Sequence, residues 1–262
     1  MGSGGRPIRF ARSPGRRGFE PMPPVLLIPG NMCDARLWEP VAAHLAAAGH
    51  SVHHALRLDQ DSIAAMAKAV LAEQSEPVVA IGFSMGAIVA AEMARRAPER
   101  VAALVLIAFN ASADLPERAA VRPRQQAEVR AGRLAEIVTD ELKPNYLAEA
   151  NRRDAALLHT VMQMALALGP DVFVAQSEAL RLRDDLRPAL PGIRVPVLLA
   201  CGAEDRLCPT AWHRQWAAAI GPRAHVEELS GAGHLLPLER PGALARTLTT
   251  WLAKESLCPI AS

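Results

Sequence analysis

Three residues in this chain of 262 residues have the types and settings needed to attack a carbonyl. Ser84 lies in Gly82-Phe-Ser-Met-Gly86, directly after the apolar run Val78-Val-Ala-Ile81 and before an alanine-rich stretch from Met85 to Ala97. A G-x-S-x-G sequence between a strand and a helix makes a sharp turn that holds the serine hydroxyl clear of the sheet. It also places the hydroxyl at a helix N-terminus, where developing negative charge is favoured. Serine is a poor nucleophile at neutral pH without a base, and the base needs an orienting acid. His234, in Ser230-Gly-Ala-Gly-His234, and Asp205, in Cys201-Gly-Ala-Glu-Asp205, each follow a later predicted strand. Their order along the chain (serine, acid, histidine) suits a turn of this kind. Asp114, after an earlier strand, is an alternative acid, and Glu204 adjoins Asp205.

The elements that must position these residues alternate along the chain. Val25-Leu-Leu-Ile28 reads as a strand buried on both faces, ended by Pro29-Gly30, and Leu37, Val41, Leu45 and Ala48 then recur at helical spacing. A strand is expected over Val52 to Leu58, a helix capped by Ser62 through Leu71, and a strand over Ala103 to Ala108. Residues 114 to about 187 carry only helical patterns, one around Leu134, Ile137 and Val138 and another around Leu157, Val161 and Ala165. Alternation resumes with a strand at Val195–Ala200, a helix near Ala211–Ile220, a strand at His225–Leu229 and a helix from about Pro241 to Lys254. This order predicts an α/β fold: a mostly parallel sheet of about six strands with helices on both faces. The domain organisation expected is a disordered basic leader over 1–22, a core over 23–113 and 188–262, and a helical lid over 114–187 that roofs the C-terminal edge of the sheet.

Composition narrows the function classes. Half the residues are apolar, and 29 Lys and Arg face 27 Asp and Glu, so nothing global favours nucleic acid or a membrane surface. No apolar run reaches the ~18 residues of a membrane span, and no hydrophobic signal segment follows the N-terminal arginines. A cytoplasmic protein is expected. Cys33, Cys201, Cys208 and Cys258 lack metal-site spacing and read as reduced thiols, with no metal expected.

Residues from about 24 to 255 resemble the α/β-hydrolase superfamily, in particular its small cofactor-free esterase branch. The resemblance rests on Leu-Ile-Pro-Gly at 27–30, Gly-Phe-Ser-Met-Gly at 82–86 and Pro-Glu-Arg-Val at 98–101. It continues through Gly-Ala-Glu-Asp-Arg-Leu-Cys-Pro at 202–209, Gly-Ala-Gly-His at 231–234 and Leu-Glu-Arg-Pro at 238–241. It implies the triad Ser84, Asp205 and His234, with the acid at the second position of Glu204-Asp205. It also implies an oxyanion hole made by the backbone N–H groups of Met85 and Asn31, with Met32 as fallback for the latter. The chain departs from the common pattern in having Pro29-Gly30 where His-Gly is usual, which puts the bonding that fixes this loop in question.

The activity implied is cleavage of a carboxylic ester of a small, partly apolar molecule through an acyl-enzyme, without a cofactor. Met32, Met162 and Phe173 are the expected substrate contacts. Lactonase or carbon–carbon bond hydrolase chemistry would use the same triad, and a ligand receptor on this fold is the rival from another class. The early lid carries Arg118, Arg122, Arg124, Arg130 and Arg133 against Glu117 and Glu128. A solvated helix face is expected there, with a carboxylate or an acidic carrier protein as the alternative partner. A monomer or homodimer is expected.

Overall fold

β1 (Val25–Ile28) is buried at every position, and its side chains alternate between two cores. Leu26 and Ile28 pack on the face covered by α2 (Ile63–Ala72), α3 (Met85–Arg96) and α7 (Thr210–Ile220). Val25 and Leu27 pack on the face covered by α1 (Glu39–Ala47) and α8 (Pro241–Lys254). The computed structural model describes residues 22–55, 57–142 and 146–255. Except for Met22, the leader expected over 1–22 lies outside these residues, as does Cys258.

The remaining strands are β2 (Val52–His54), β3 (Val78–Phe83), β4 (Val101–Ile107), β5 (Val197–Gly202) and β6 (Ala224–Leu229). All six run parallel in the order β2-β1-β3-β4-β5-β6. The chain therefore steps from β1 outward to β2, then crosses back to β3 on the other side. The crevice beyond the C-terminal ends of β1 and β3 is the switch point where open parallel sheets bind ligands. β2 is shorter than the Val52–Leu58 run expected. Among the described residues it is an edge strand paired with β1 alone, and beyond it Leu58 turns into the core.

Between β4 and β5 the chain inserts α4 (Pro116–Arg130), the short α5 (Leu134–Glu136) with a wide turn over Ile137–Leu142, and α6 (Ala155–Arg181). By length and composition α6 is apolar enough to cross a membrane, unlike any run singled out in the sequence. Gly169 breaks it, with φ 81° and Pro170 following, so two shorter helices meet at a kink. Neither half reaches the ~20 residues of a span.

Candidate active site

Ser84 sits between β3 and α3 with φ 51° and ψ −113°, a conformation costing about 1–3 kcal/mol for a residue with a side chain. Surrounding structure over-determines it. Its N–H donates to Ile107 O at 2.8 Å, and its carbonyl accepts from Ala87 N at 3.0 Å. Among the described residues, the other two non-glycine residues with positive φ, Met32 and Ala108, lie in the loops after β1 and β4. Backbone strain thus collects along one edge of the sheet.

The flanking glycines explain how the turn fits. A Cβ on Gly82 would lie 2.2 Å from Gly86 O, and one on Gly86 would lie 2.2 Å from Ile28 O. The first turn of α3 therefore backs directly onto the loop after β1, which brings Met85 beside Asn31. Gly86→Ala is expected to destabilise the fold by about 3 kcal/mol or more, since backbone cannot yield as a flexible side chain does. Denaturant unfolding of soluble protein checks this; native stability in that variant would refute the close approach.

His234 reaches Ser84 from the loop after β6. The Ser84 hydroxyl donates to His234 Nε2 at 2.9 Å, and His234 Nδ1–H donates to Asp205 Oδ2 at 2.9 Å. Asp205 Oδ1 accepts from the N–H groups of Leu207 at 2.8 Å and Cys208 at 2.9 Å. Burial alone would raise the Asp205 carboxyl. The charge and hydrogen bond of His234, with the two N–H donors, hold it below the usual value instead. Gly202 permits the meeting of the two loops, because a Cβ there would lie 2.2 Å from Gly233 O.

The alternative acids are engaged elsewhere. Glu204 accepts from Glu149 N at 2.9 Å, and Asp114 is held by Arg122 and Arg183. Asp205, Cys208 and His234 also bring ligand-type atoms within 4.8 Å of one another. Burial, then the Asp205 charge, pushes the Cys208 thiol well above its ordinary value. It stays protonated, and with the carboxylate already bonded the trio is a poor metal site.

The loop after β1 is fixed by a residue the sequence did not single out. Gln176, buried on α6, accepts from Met32 N at 2.8 Å and from Asn31 Nδ2 at 3.1 Å, and donates to Leu58 O at 2.9 Å. Met32 N is therefore engaged with Gln176 and is not free to serve as the fallback donor. The insert thus supplies the bonding that Pro29 put in question. Gln176→Leu is expected to cost about 1–3 kcal/mol of stability by orphaning Met32 N and Leu58 O. The same variant should lower kcat at least tenfold with KM little changed; unaltered kcat would show that the loop holds itself. Glu239 plays a similar part for the histidine loop, accepting from Gly233 N at 2.9 Å, Ala148 N at 2.8 Å and Asn151 Nδ2 at 2.8 Å.

Two chambers meet at Ser84. One of about 260 Å³ is lined by Asn110, Arg118, Arg122, Tyr146, Leu207 and Cys208, among others. The other, about 30 Å³, is a narrow apolar recess formed by Met32, Cys33, Phe83, Val138, Val161 and Leu235. Asn31, Ser84, Tyr146 and His234 border both. Tyr146 lies beside His234, with ring centroids 5.4 Å apart, and burial pushes its phenol up to about 12.

Of the expected substrate contacts, Met32 lines the recess, whereas Met162 and Phe173 line neither chamber. Phe173 is buried in a small core with Val129, Leu134, Ile137 and the recess residues Met32, Val138 and Ala165, one layer behind the recess, and Met162 packs against it. The helical repeat of α6 turns both toward the other insert helices.

Residues 25–247 match the Alpha/beta hydrolase family. The chain belongs to that family. It is 30% identical over 235 residues to the pimeloyl-[acyl-carrier protein] methyl ester esterase of Pectobacterium carotovorum, covering 79% of this chain and 88% of that protein. The biotin biosynthesis bifunctional protein BioHC of Cellvibrio japonicus is 26% identical over 242 residues, covering 85% of this chain; the match spans only 46% of that longer protein. Among solved family structures, a thermophilic esterase from Thermogutta terrifontis superposes with a TM-score of 0.81 at 26% identity, covering 88% of this chain and 90% of that one.

Proposed function

We propose that this chain is a serine hydrolase that cleaves carboxylic esters of small molecules through an acyl group carried on Ser84. The observation that carries this reading is the hydrogen-bonded series Ser84–His234–Asp205 at the junction of the two chambers. His234 Nε2 takes the hydroxyl proton as Ser84 Oγ attacks the ester carbonyl. The N–H groups of Met85 and Asn31 receive the oxyanion, and the N-terminus of α3 adds partial positive charge there. His234 then gives the proton to the departing alcohol. It next deprotonates water, which attacks the acyl-serine, and returns that proton to Ser84 Oγ as the acid departs. Asp205 keeps the proton on Nδ1, so that Nε2 is free to accept, and stabilises the imidazolium.

The narrow recess suits a short alcohol or acyl arm, and the methyl ester and esterase activities named for the relatives favour an ester over other carbonyl substrates. A second reading, an ester tethered to an acidic carrier protein, is favoured by the carrier-linked substrate in the name of the Pectobacterium relative. Purified protein is expected to turn over p-nitrophenyl acetate and butyrate steadily. No turnover of any ester or lactone, with ligands that raise Tm, would favour the receptor reading instead.

A further inference from the structure

The helix α4 turns one stripe inward. Arg118, Val121, Arg122 and Gln125, spaced i, i+3, i+4 and i+7, all line the larger chamber. Like charges four residues apart on a helix repel, and here both guanidinia face the chamber that holds Ser84. Arg124 and Arg133, by contrast, pair with Glu128 and with Glu141 or Glu136 at the surface.

Charge in the chamber wall does not balance. Asp114, with its side chain 1% exposed, accepts from Arg122 Nε at 2.7 Å and Arg183 Nη1 at 2.7 Å. Glu141 is taken by Arg124 and Gln125. Arg118 makes no ion pair or side-chain hydrogen bond among the described residues. The wall thus carries three guanidinia against two carboxylates, Asp114 and Glu141, and Glu141 is already paired with Arg124 from outside the lining. Burial pulls Arg183 below its ordinary range, Asp114 opposes that, and Arg122 adds to it. Asn110 stands in the same wall, buried; its Oδ1 accepts from Ser112 N, while its Nδ2 has no partner. A buried donor without a partner, such as Asn110 Nδ2, is costly unless an acceptor arrives, and the part-exposed Arg118 leaves a guanidinium beside it to bind one.

We propose that this wall is a carboxylate-binding subsite, and that the ester attacked by Ser84 carries a carboxylate on its longer arm, with the short arm in the apolar recess. Planar guanidinium forks match carboxylate oxygens two at a time. Arg118 is the primary anchor because, among the described residues, it is the guanidinium of this wall without a side-chain partner, and Arg122 and Asn110 complete the site. The inference rests on the hydrolase reading for its chemistry, but not for its binding.

Matched substrates test it on the full chain: monomethyl esters of the straight dicarboxylic acids from succinate to pimelate, each against the methyl ester of the monocarboxylic acid of equal length. At the best length the charged ester is expected to have a kcat/KM at least tenfold higher. Arg118→Gln should cut that preference about 10- to 100-fold, mainly through KM. Arg214→Gln, which alters an exposed pair with Glu228, should leave it in place. Calorimetry with adipate on Ser84→Ala protein should give binding that Arg118→Gln weakens at least tenfold. Equal or better turnover of the neutral ester at every length, or a preference untouched by Arg118→Gln, overturns the subsite while leaving the hydrolase standing. If no ester in either series reacts, p-nitrophenyl butyrate turnover decides the hydrolase reading, and adipate binding alone decides the subsite.

Discussion

Ser84→Ala is expected to lower kcat/KM for p-nitrophenyl butyrate by about 10⁵- to 10⁶-fold, the loss typical of removing the nucleophile from a serine triad. His234 would keep its bond to Asp205, because that contact does not depend on the hydroxyl. The residue at 84 also has a conformational cost that alanine does not relieve, since its φ of 51° lies where only glycine is at ease. Ser84→Gly should therefore be as inactive as Ser84→Ala but more stable by about 1 kcal/mol. Stopped assays and denaturant unfolding on the three proteins separate the two effects. A glycine variant no more stable than the alanine variant would show that the turn is not strained.

Asp205→Asn is expected to cost about 10⁴-fold in kcat with the fold intact. An amide can present its NH₂ to Nδ1, which moves the ring proton to Nε2 and leaves nothing to accept from Ser84. The substitution should also change acid stability. The folded Asp205 carboxyl lies below its ordinary value, so the ionised form stabilises the native state above the unfolded value. That contribution is lost as pH falls through the folded value. Urea unfolding of wild type and Asp205→Asn should differ most near neutral pH and converge in acid. A difference independent of pH would argue against a stabilised carboxylate at this position.

What could be read in advance followed from local patterns. The strand-turn-helix around Ser84 has a two-sided apolar run before it and close-packing glycines within it, and these are local signatures. Asp205 and His234 each lie a few residues past a buried strand, so a parallel sheet carries them to the same edge. The insert resisted reading because helical periodicity tells which residues share a stripe and not which neighbour that stripe meets. Met162 and Phe173 sit on apolar stripes that pack inside the insert, whereas Arg118 and Arg122 sit on a stripe that faces the chamber. Gln176 was detectable in principle: it is a polar residue among Phe173, Ser177 and Leu180 on the buried side of α6. The kink at Gly169-Pro170 sets where that side points, and its direction comes from tertiary packing.

The central claim is that Ser84 carries the acyl group, and mass spectrometry after rapid acid quench tests it most directly. Wild-type protein mixed with p-nitrophenyl butyrate should gain one butyryl group within the first turnovers. Peptide mapping should place it on Ser84, and Ser84→Ala protein should gain none. Rapid turnover with Ser84 unmodified, accompanied by full activity in Ser84→Ala, would contradict the account.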